Sequence, residues 1–261
     1  MPGDQEYQNH LVFTDLDQYI GFYDSLADSI FQFMSCGTSS IGNIDTYSFL
    51  SMRGTLSSIR TVLENGQIND AYALLRKFYD SSIITIYTNL YLEEHFSVKN
   101  FIVEKIDNWL KGREELPEYR IMSSYIRNAS SVKQITRLLY SNDRYKKIRK
   151  RCNDHTHYNF YHNVLLNEVE IYATNRGKAL DEIVCDIRDI IILHLSYLFF
   201  AKHNYLRSSD YIDALECGCV PELDSEYWVA PFIQKIFDTI IAKYRPDIAK
   251  IIKENTSMQL K

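Results

Sequence analysis

Nine glycines and five prolines are all the strong turn-formers in this 261-residue chain. A many-stranded β fold needs a turn residue every few positions, so this scarcity points to long helices instead. The apolar residues agree. Leu16, Tyr19, Ile20, Tyr23, Leu26, Ala27, Ile30 and Phe33 recur at helical spacing, which predicts a helix over 14–36, capped by Thr14 or Asp15 and ended by Gly37. A second helix opens at Asp45 or Thr46, carries Tyr47, Leu50, Leu56, Ile59 and Leu63, and stops at Gly66. Asn69 or Asp70 caps a third that runs to about Glu94. So short a link makes the second and third helices an antiparallel hairpin.

Shorter helices are expected over 101–111, from Pro117, and over 132–140, and a basic one begins near Asn142. Residues 163–178 leave a short strand or an irregular linker open, because Val169 and Ile171 alternate with Glu168 and Glu170. An apolar helix follows over about 180–206, with Asp181 and Glu182 favourably placed in its first turn. The longest apolar run of the chain, 190–201, contains His194 and Ser196 and is too short for a membrane span. Ser208, Ser209 and Asp210 cap a short helix that ends at Gly218. The helix over 225–244 bends or restarts at Pro231, and Pro246 opens the last one. The fold class is therefore all-α: an antiparallel helical bundle over 1–206 with a C-terminal helical extension, 207–261, packed on it.

Composition removes several function classes. Apolar residues make up 46% and charged residues 24%, which argues against wholesale disorder. Five cysteines, at 36, 152, 185, 217 and 219, are odd in number and lack framework spacing, as in a reducing cytoplasm. The opening Met1-Pro2-Gly3-Asp4-Gln5-Glu6 has no basic or apolar leader character, so a cytoplasmic protein without secretion signal or membrane span is expected. No Gly-rich phosphate loop, paired-histidine zinc helix, Gly-x-Ser-x-Gly elbow or Cys-x-x-Cys is present. Pro246-Asp247 begins like a metal-dependent nuclease motif, but the carboxylate and lysine that should follow are missing. Cys217-Gly218-Cys219 offers two thiolates with no second pair nearby. Neither a metal nor a cofactor is expected.

The chemistry concentrates between Arg144 and Asn159. Six of the eight residues from 144 to 151 are basic, in a chain of formal net charge −5, and three of the seven histidines follow at 155, 157 and 162. Cations neutralise phosphate oxygens and imidazoles move protons near neutral pH, so the pattern suits a phosphodiester and should form the main positive patch. A solvated helix face with structural histidines is the plain alternative. On a helix, Tyr145, Ile148, Cys152 and Thr156 form the buried stripe. Asn153 and His157, at i and i+4, point together. Arg151 projects from the other side and meets His157 only if the helix starts or kinks here, or across a dimer interface.

Arg76 and Asp80 pair at i, i+4 on the third helix among apolar neighbours. They form either a surface pair or a partly buried one facing Asn153 and His157. Tyr158, Asn159 and Tyr161 line the same mouth, where an exposed tyrosine can stack on a base. His194 and His203 read as core or surface histidines without a role.

Arg151 and His157, with five residues between them in an all-α chain with a preceding helical hairpin, make residues 14–205 resemble the HEPN superfamily, whose motif is Arg-x(4–6)-His. In the commoner form, Arg-Asn-x-x-x-His, Asn153 and His157 align and Cys152 stands at the arginine position. The resemblance implies a small, often dimeric helical bundle and a metal-independent endoribonuclease of the kind used in toxin–antitoxin or antiviral defence. It implies His157 as general base or acid at the ribose 2′-hydroxyl and leaving group. Arg151, Lys150 and Arg149 then hold the phosphate and Asn153 orients it. Lys146, Lys147 and Tyr158 engage RNA, while Arg76, Asp80 and Asn159 support the site. The implied partners are RNA, a second copy, and an antitoxin or defence-system protein. The alternative is a non-catalytic helical module that binds RNA or a protein. The acidity of the chain and Cys152 favour it, and a buried, already bonded His157 would mark it.

Overall fold

A computed structural model describes residues 5–31, 37–99, 101–168 and 176–261. The helices are α1 (Gln5–Gln8), α2 (Leu11–Ile30), α3 (Ile44–Glu64), α4 (Ile68–His95), α5 (Glu104–Leu110), α6 (Tyr119–Asn128), α7 (Lys133–Leu139), α8 (Arg144–Thr156), α9 (Tyr161–Leu165), α10 (Arg176–Ala201), α11 (Asp210–Glu216), α12 (Pro231–Ile236) and α13 (Pro246–Asn255). Among the described residues there is no strand, and an isolated bridge joins Arg207 to Val229. The chain is all-α, as the spacing of its apolar residues implies.

Several boundaries differ from expectation for local reasons. The first long helix starts at Leu11, before Thr14, because the His10 ring caps it: Nδ1 accepts from the Val12 amide at 3.2 Å. Its described part ends at Ile30, and Cys36 lies outside the described residues. Gln67, not Asn69 or Asp70, stands at the N-cap of α4. Gly66, in the left-handed region at φ 77°, makes the turn that folds α3 back on α4. The apolar helix begins at Arg176, so Asp181 and Glu182 fall beyond its first turn. A short helix occupies Tyr161–Leu165, while the alternating Val169, Glu170 and Ile171 lie outside the described residues. Pro231 and Pro246 each sit in the first turn of their helix, where the missing N–H costs nothing. α12 continues directly as a π-helical stretch, Phe237–Ala242.

α10 is the axle of the bundle. It packs against α2, α4, α7, α8 and α13, and Ile190 through Phe199 are buried on every side. No described helix is long and apolar enough to cross a membrane. Ala230, Ile233, Phe237, Ile241, Ile248 and Ile252 join the same apolar core as α2, α4 and α10. The C-terminal extension therefore shares the core of the bundle.

His194 shows how α10 tolerates a polar group inside that core. Its Nδ1 accepts from the Tyr23 hydroxyl at 2.7 Å. The Thr85 hydroxyl already donates to the Ser82 carbonyl, so Nε2–H donates to Thr85 Oγ1 at 2.9 Å. Both nitrogens are satisfied in the neutral form, and burial pushes the imidazole pKa down to about 3. An unfolded chain takes up this proton below its ordinary 6.5 while the folded one refuses it. Stability from this group is therefore lost as pH falls through that window. The His194 ring resonances should stay stationary from pH 8 to about 4 in an NMR titration of the folded protein. A midpoint near 6.5 would contradict this packing.

Candidate nucleic-acid interface on the basic helix

α8 runs unbroken from Arg144 to Thr156, which removes the start or kink that could bring Arg151 to His157 within one chain. Six residues apart, they diverge by about 120° around the axis. The buried stripe is Tyr145, Ile148, Cys152 and His155. Thr156, expected on that stripe, is exposed, and His155 takes its place. The His155 Nδ1–H donates to Asn69 Oδ1 at 2.8 Å, the Asn69 amide donates to the His155 carbonyl at 3.2 Å, and the ring stacks on Tyr72 at 3.9 Å. Burial pushes its pKa down to about 4, so it is neutral in the fold. This bond also explains why Asn69 does not cap α4.

The six cations of the run separate into three directions. On the α10 side, Arg144 pairs with Asp189 at 3.0 Å. Arg151 grips both oxygens of the buried Asp186 through Nε (2.7 Å) and Nη2 (3.0 Å) and reaches Glu182 through Nη1 (2.5 Å). Burial pushes the Asp186 carboxyl up to about 6, and the two bonds from Arg151 restrain the rise. On the α4 side, Arg149 Nη1 donates to Asp80 Oδ1 at 2.5 Å, and Arg76 Nε donates to Asp80 Oδ2 at 3.0 Å. Arg76 also donates to Asn153 Oδ1. Arg76 and Asp80 are thus a half-buried pair facing Asn153, one of the two arrangements the sequence leaves open. Lys146, Lys147 and Lys150 face solvent.

These three lysines form the exposed cationic surface. Arg144 and Arg151 are neutralised against the bundle and Arg149 shares Asp80 with Arg76, so the basic run gives a smaller positive patch than its composition suggests. Lys150 pairs with Asp154 at 2.6 Å, and the same carboxylate accepts from the Asn159 amide at 2.8 Å. Both partners hold the Asp154 carboxyl below its usual range. His157 stands at the C-cap of α8, with its backbone N–H on the Asn153 carbonyl. Its side chain is exposed and has no hydrogen-bond partner among the described residues. Tyr158 then adopts a left-handed φ of 49°, turning the chain so that Tyr158, Phe160, Tyr161 and Val164 are exposed in succession. Phe160 stacks with His162 and lies 5.8 Å from the Lys150 ammonium. Lysines, imidazoles and open aromatic rings therefore share one surface.

Asp186, Glu182, Asn69 and Tyr119, whose ring lies under the Arg149 guanidinium, are parts of this arrangement that motif reading passes over. One signal existed: Asp186 interrupts the run Ile183-Val184-Cys185-Asp186-Ile187, and a carboxylate in so apolar a stretch needs a buried partner. Cys217 and Cys219 are exposed thiols, and among the described residues no three His, Cys, Asp or Glu side chains converge as metal ligands do. Comparisons with protein-family models, with curated proteins and with solved structures return no match.

Proposed function

We propose that the chain binds single-stranded RNA on the solvent face of α8 and the aromatic segment after it, and cleaves that RNA without a metal at His157. The observation that carries this reading is the state of His157: exposed, without a side-chain partner among the described residues, at the end of a lysine-bearing helix and beside open aromatic rings. Such an imidazole is free to move a proton, unlike His155 and His194, whose nitrogens are engaged. His157 takes the proton of the ribose 2′-hydroxyl as that oxygen attacks phosphorus. The bond from phosphorus to the 5′-oxygen breaks and that oxygen takes a proton from water, so the products carry a 2′,3′-cyclic phosphate and a 5′-hydroxyl. Lys146, Lys147 and Lys150 draw in the RNA backbone, and Tyr158 supplies a stacking surface. Asn153, held by Arg76, orients the phosphate. Arg151 joins this chemistry only from a second copy, which makes a homodimer part of the proposal. In this reading the protein works in the cytoplasm as a toxin or defence component under the control of a partner protein.

A second reading, a helical module that binds RNA or protein without cutting, is favoured by Arg151, whose guanidinium is occupied by Asp186 and Glu182. The buried Cys152, where the commoner motif has arginine, points the same way. One assay separates the two. Purified protein with single-stranded RNA should yield shortened products ending in 2′,3′-cyclic phosphate, with or without chelator. Cleavage abolished by chelator overturns the mechanism, and binding without cleavage selects the second reading.

Reversing Lys146, Lys147 and Lys150 to glutamate should weaken RNA binding by about tenfold or more at low salt and flatten its salt dependence. Filter binding at several salt concentrations measures both. An unchanged slope would take the lysine face out of the interface.

A further inference from the structure

We infer that Arg76 and Arg149 form a phosphate-binding fork on the α4–α8 flank, with Asp80 as the internal carboxylate that an RNA phosphate displaces. The inference rests on the proposed engagement of RNA and assigns the phosphate contact to guanidinium groups other than that of Arg151.

The balance of charge is the first argument. Arg151 meets two carboxylates, and Arg144 meets one. Arg76 and Arg149 share a single carboxylate among the described residues, Asp80, which leaves one positive charge without a paired carboxylate there. A purely structural ion pair needs no second cation. The donors are the second argument. Asp80 takes Arg76 Nε and Arg149 Nη1, and Asn153 takes Arg76 Nη1. Arg76 Nη2 and Arg149 Nε and Nη2 have no protein acceptor among the described residues, and none of them is sealed from solvent. Three N–H-bearing nitrogens therefore remain for an incoming oxyanion.

The fork is also preorganised. The Arg149 guanidinium carbon lies 3.2 Å from the centroid of the Tyr119 ring, and the Tyr119 hydroxyl donates to Tyr79 Oη at 3.3 Å, fixing the ring. A planar cation held flat on an aromatic ring presents its edge in a fixed direction, the geometry that favours bidentate phosphate contact. Its placement completes the case. Arg149, Asn153 and His157 follow one another at i, i+4 and i+8, a single stripe roughly 12 Å long on α8. An RNA strand whose phosphate sits on the fork runs along this stripe, past the Asn153 amide, to His157.

Binding of a labelled single-stranded oligoribonucleotide, 2′-O-methylated to block cleavage, tests the fork by fluorescence anisotropy. Arg149→Lys keeps the charge, loses the planar edge, and should weaken binding by about fivefold. Asp80→Asn keeps the shape, removes the competing carboxylate, and should tighten binding by about threefold with a steeper salt dependence. A structural cluster gives no tightening, so unchanged or weaker affinity for Asp80→Asn overturns the fork, while loss of binding in the lysine variant still supports the RNA interface. If the unmodified protein binds no RNA, the proposed function fails and inorganic pyrophosphate decides the fork alone. A saturable shift of the Arg149 Nε–H resonance, absent in Arg149→Lys, sustains it, and no shift refutes it.

Discussion

His157→Ala is expected to lower the rate constant of RNA cleavage by about 10²–10⁴-fold, with little change in KM. The loss falls on turnover because the imidazole acts on a proton in flight and not on the bound phosphate. Stability should barely move. The side chain is exposed and holds no other group among the described residues, and substitutions at such positions stay within about 0.5 kcal/mol. Circular dichroism and the unfolding midpoint of the variant should therefore overlay those of the parent. Asn153→Ala should reduce turnover less, since it removes an orienting amide and frees Arg76. Single-turnover cleavage of labelled RNA, read on a gel that resolves cyclic from linear phosphate ends, provides the measurement. A His157→Ala protein as active as the parent would falsify the mechanism.

The helices were legible because local rules governed them. Apolar spacing located α3, α8 and α10, and Pro231 and Pro246 marked helix starts. The starts that were misread depend on distant partners. Asn69 has the chemistry of a cap, yet its amide is taken up by His155, far away in sequence. The stripe of α8 shows the same limit. Spacing from Tyr145, Ile148 and Cys152 admits either His155 or Thr156 as the next buried position. Tyr72 and Asn69 select His155 by offering a ring face and an acceptor.

The candidate site follows this division. A cluster of cations and histidines on one helix is visible in the sequence, as is the shared direction of Asn153 and His157. The division of the arginines between two flanks is not, because Asp80, Asp186 and Asp189 come from other helices. A basic run read alone overstates the field at its surface. Arg144 and Arg151 spend their charge on carboxylates of the bundle, Arg149 shares Asp80 with Arg76, and Lys146, Lys147 and Lys150 remain for solvent.

Arg151→Ala should destabilise the fold by roughly 3–5 kcal/mol near neutral pH, because it strands a buried carboxylate. The Asp186 side chain is 5% exposed, and the paired donors Nε and Nη2 of Arg151 are its hydrogen-bond partners. Glu182 is about half exposed, so its loss of contact adds little. The sign with pH follows from burial. Asp186 has a folded pKa of about 6 against an ordinary 3.8, so the folded state holds this proton more tightly than the unfolded one. Its contribution to stability is present at low pH and is lost as pH rises from about 4 to 6. Without Arg151 the carboxyl rises further, and the variant keeps losing stability at pH values where the parent has levelled off. The deficit should thus be largest at pH 7.5 and shrink at pH 5.5, where the stranded group is neutral. Urea unfolding of both proteins at the two pH values measures it, and an equal deficit at both would show that the ion pair is not what Arg151 contributes. Arg151→Met combined with Asp186→Leu should recover much of the loss at either pH, since apolar replacements leave no buried charge to satisfy.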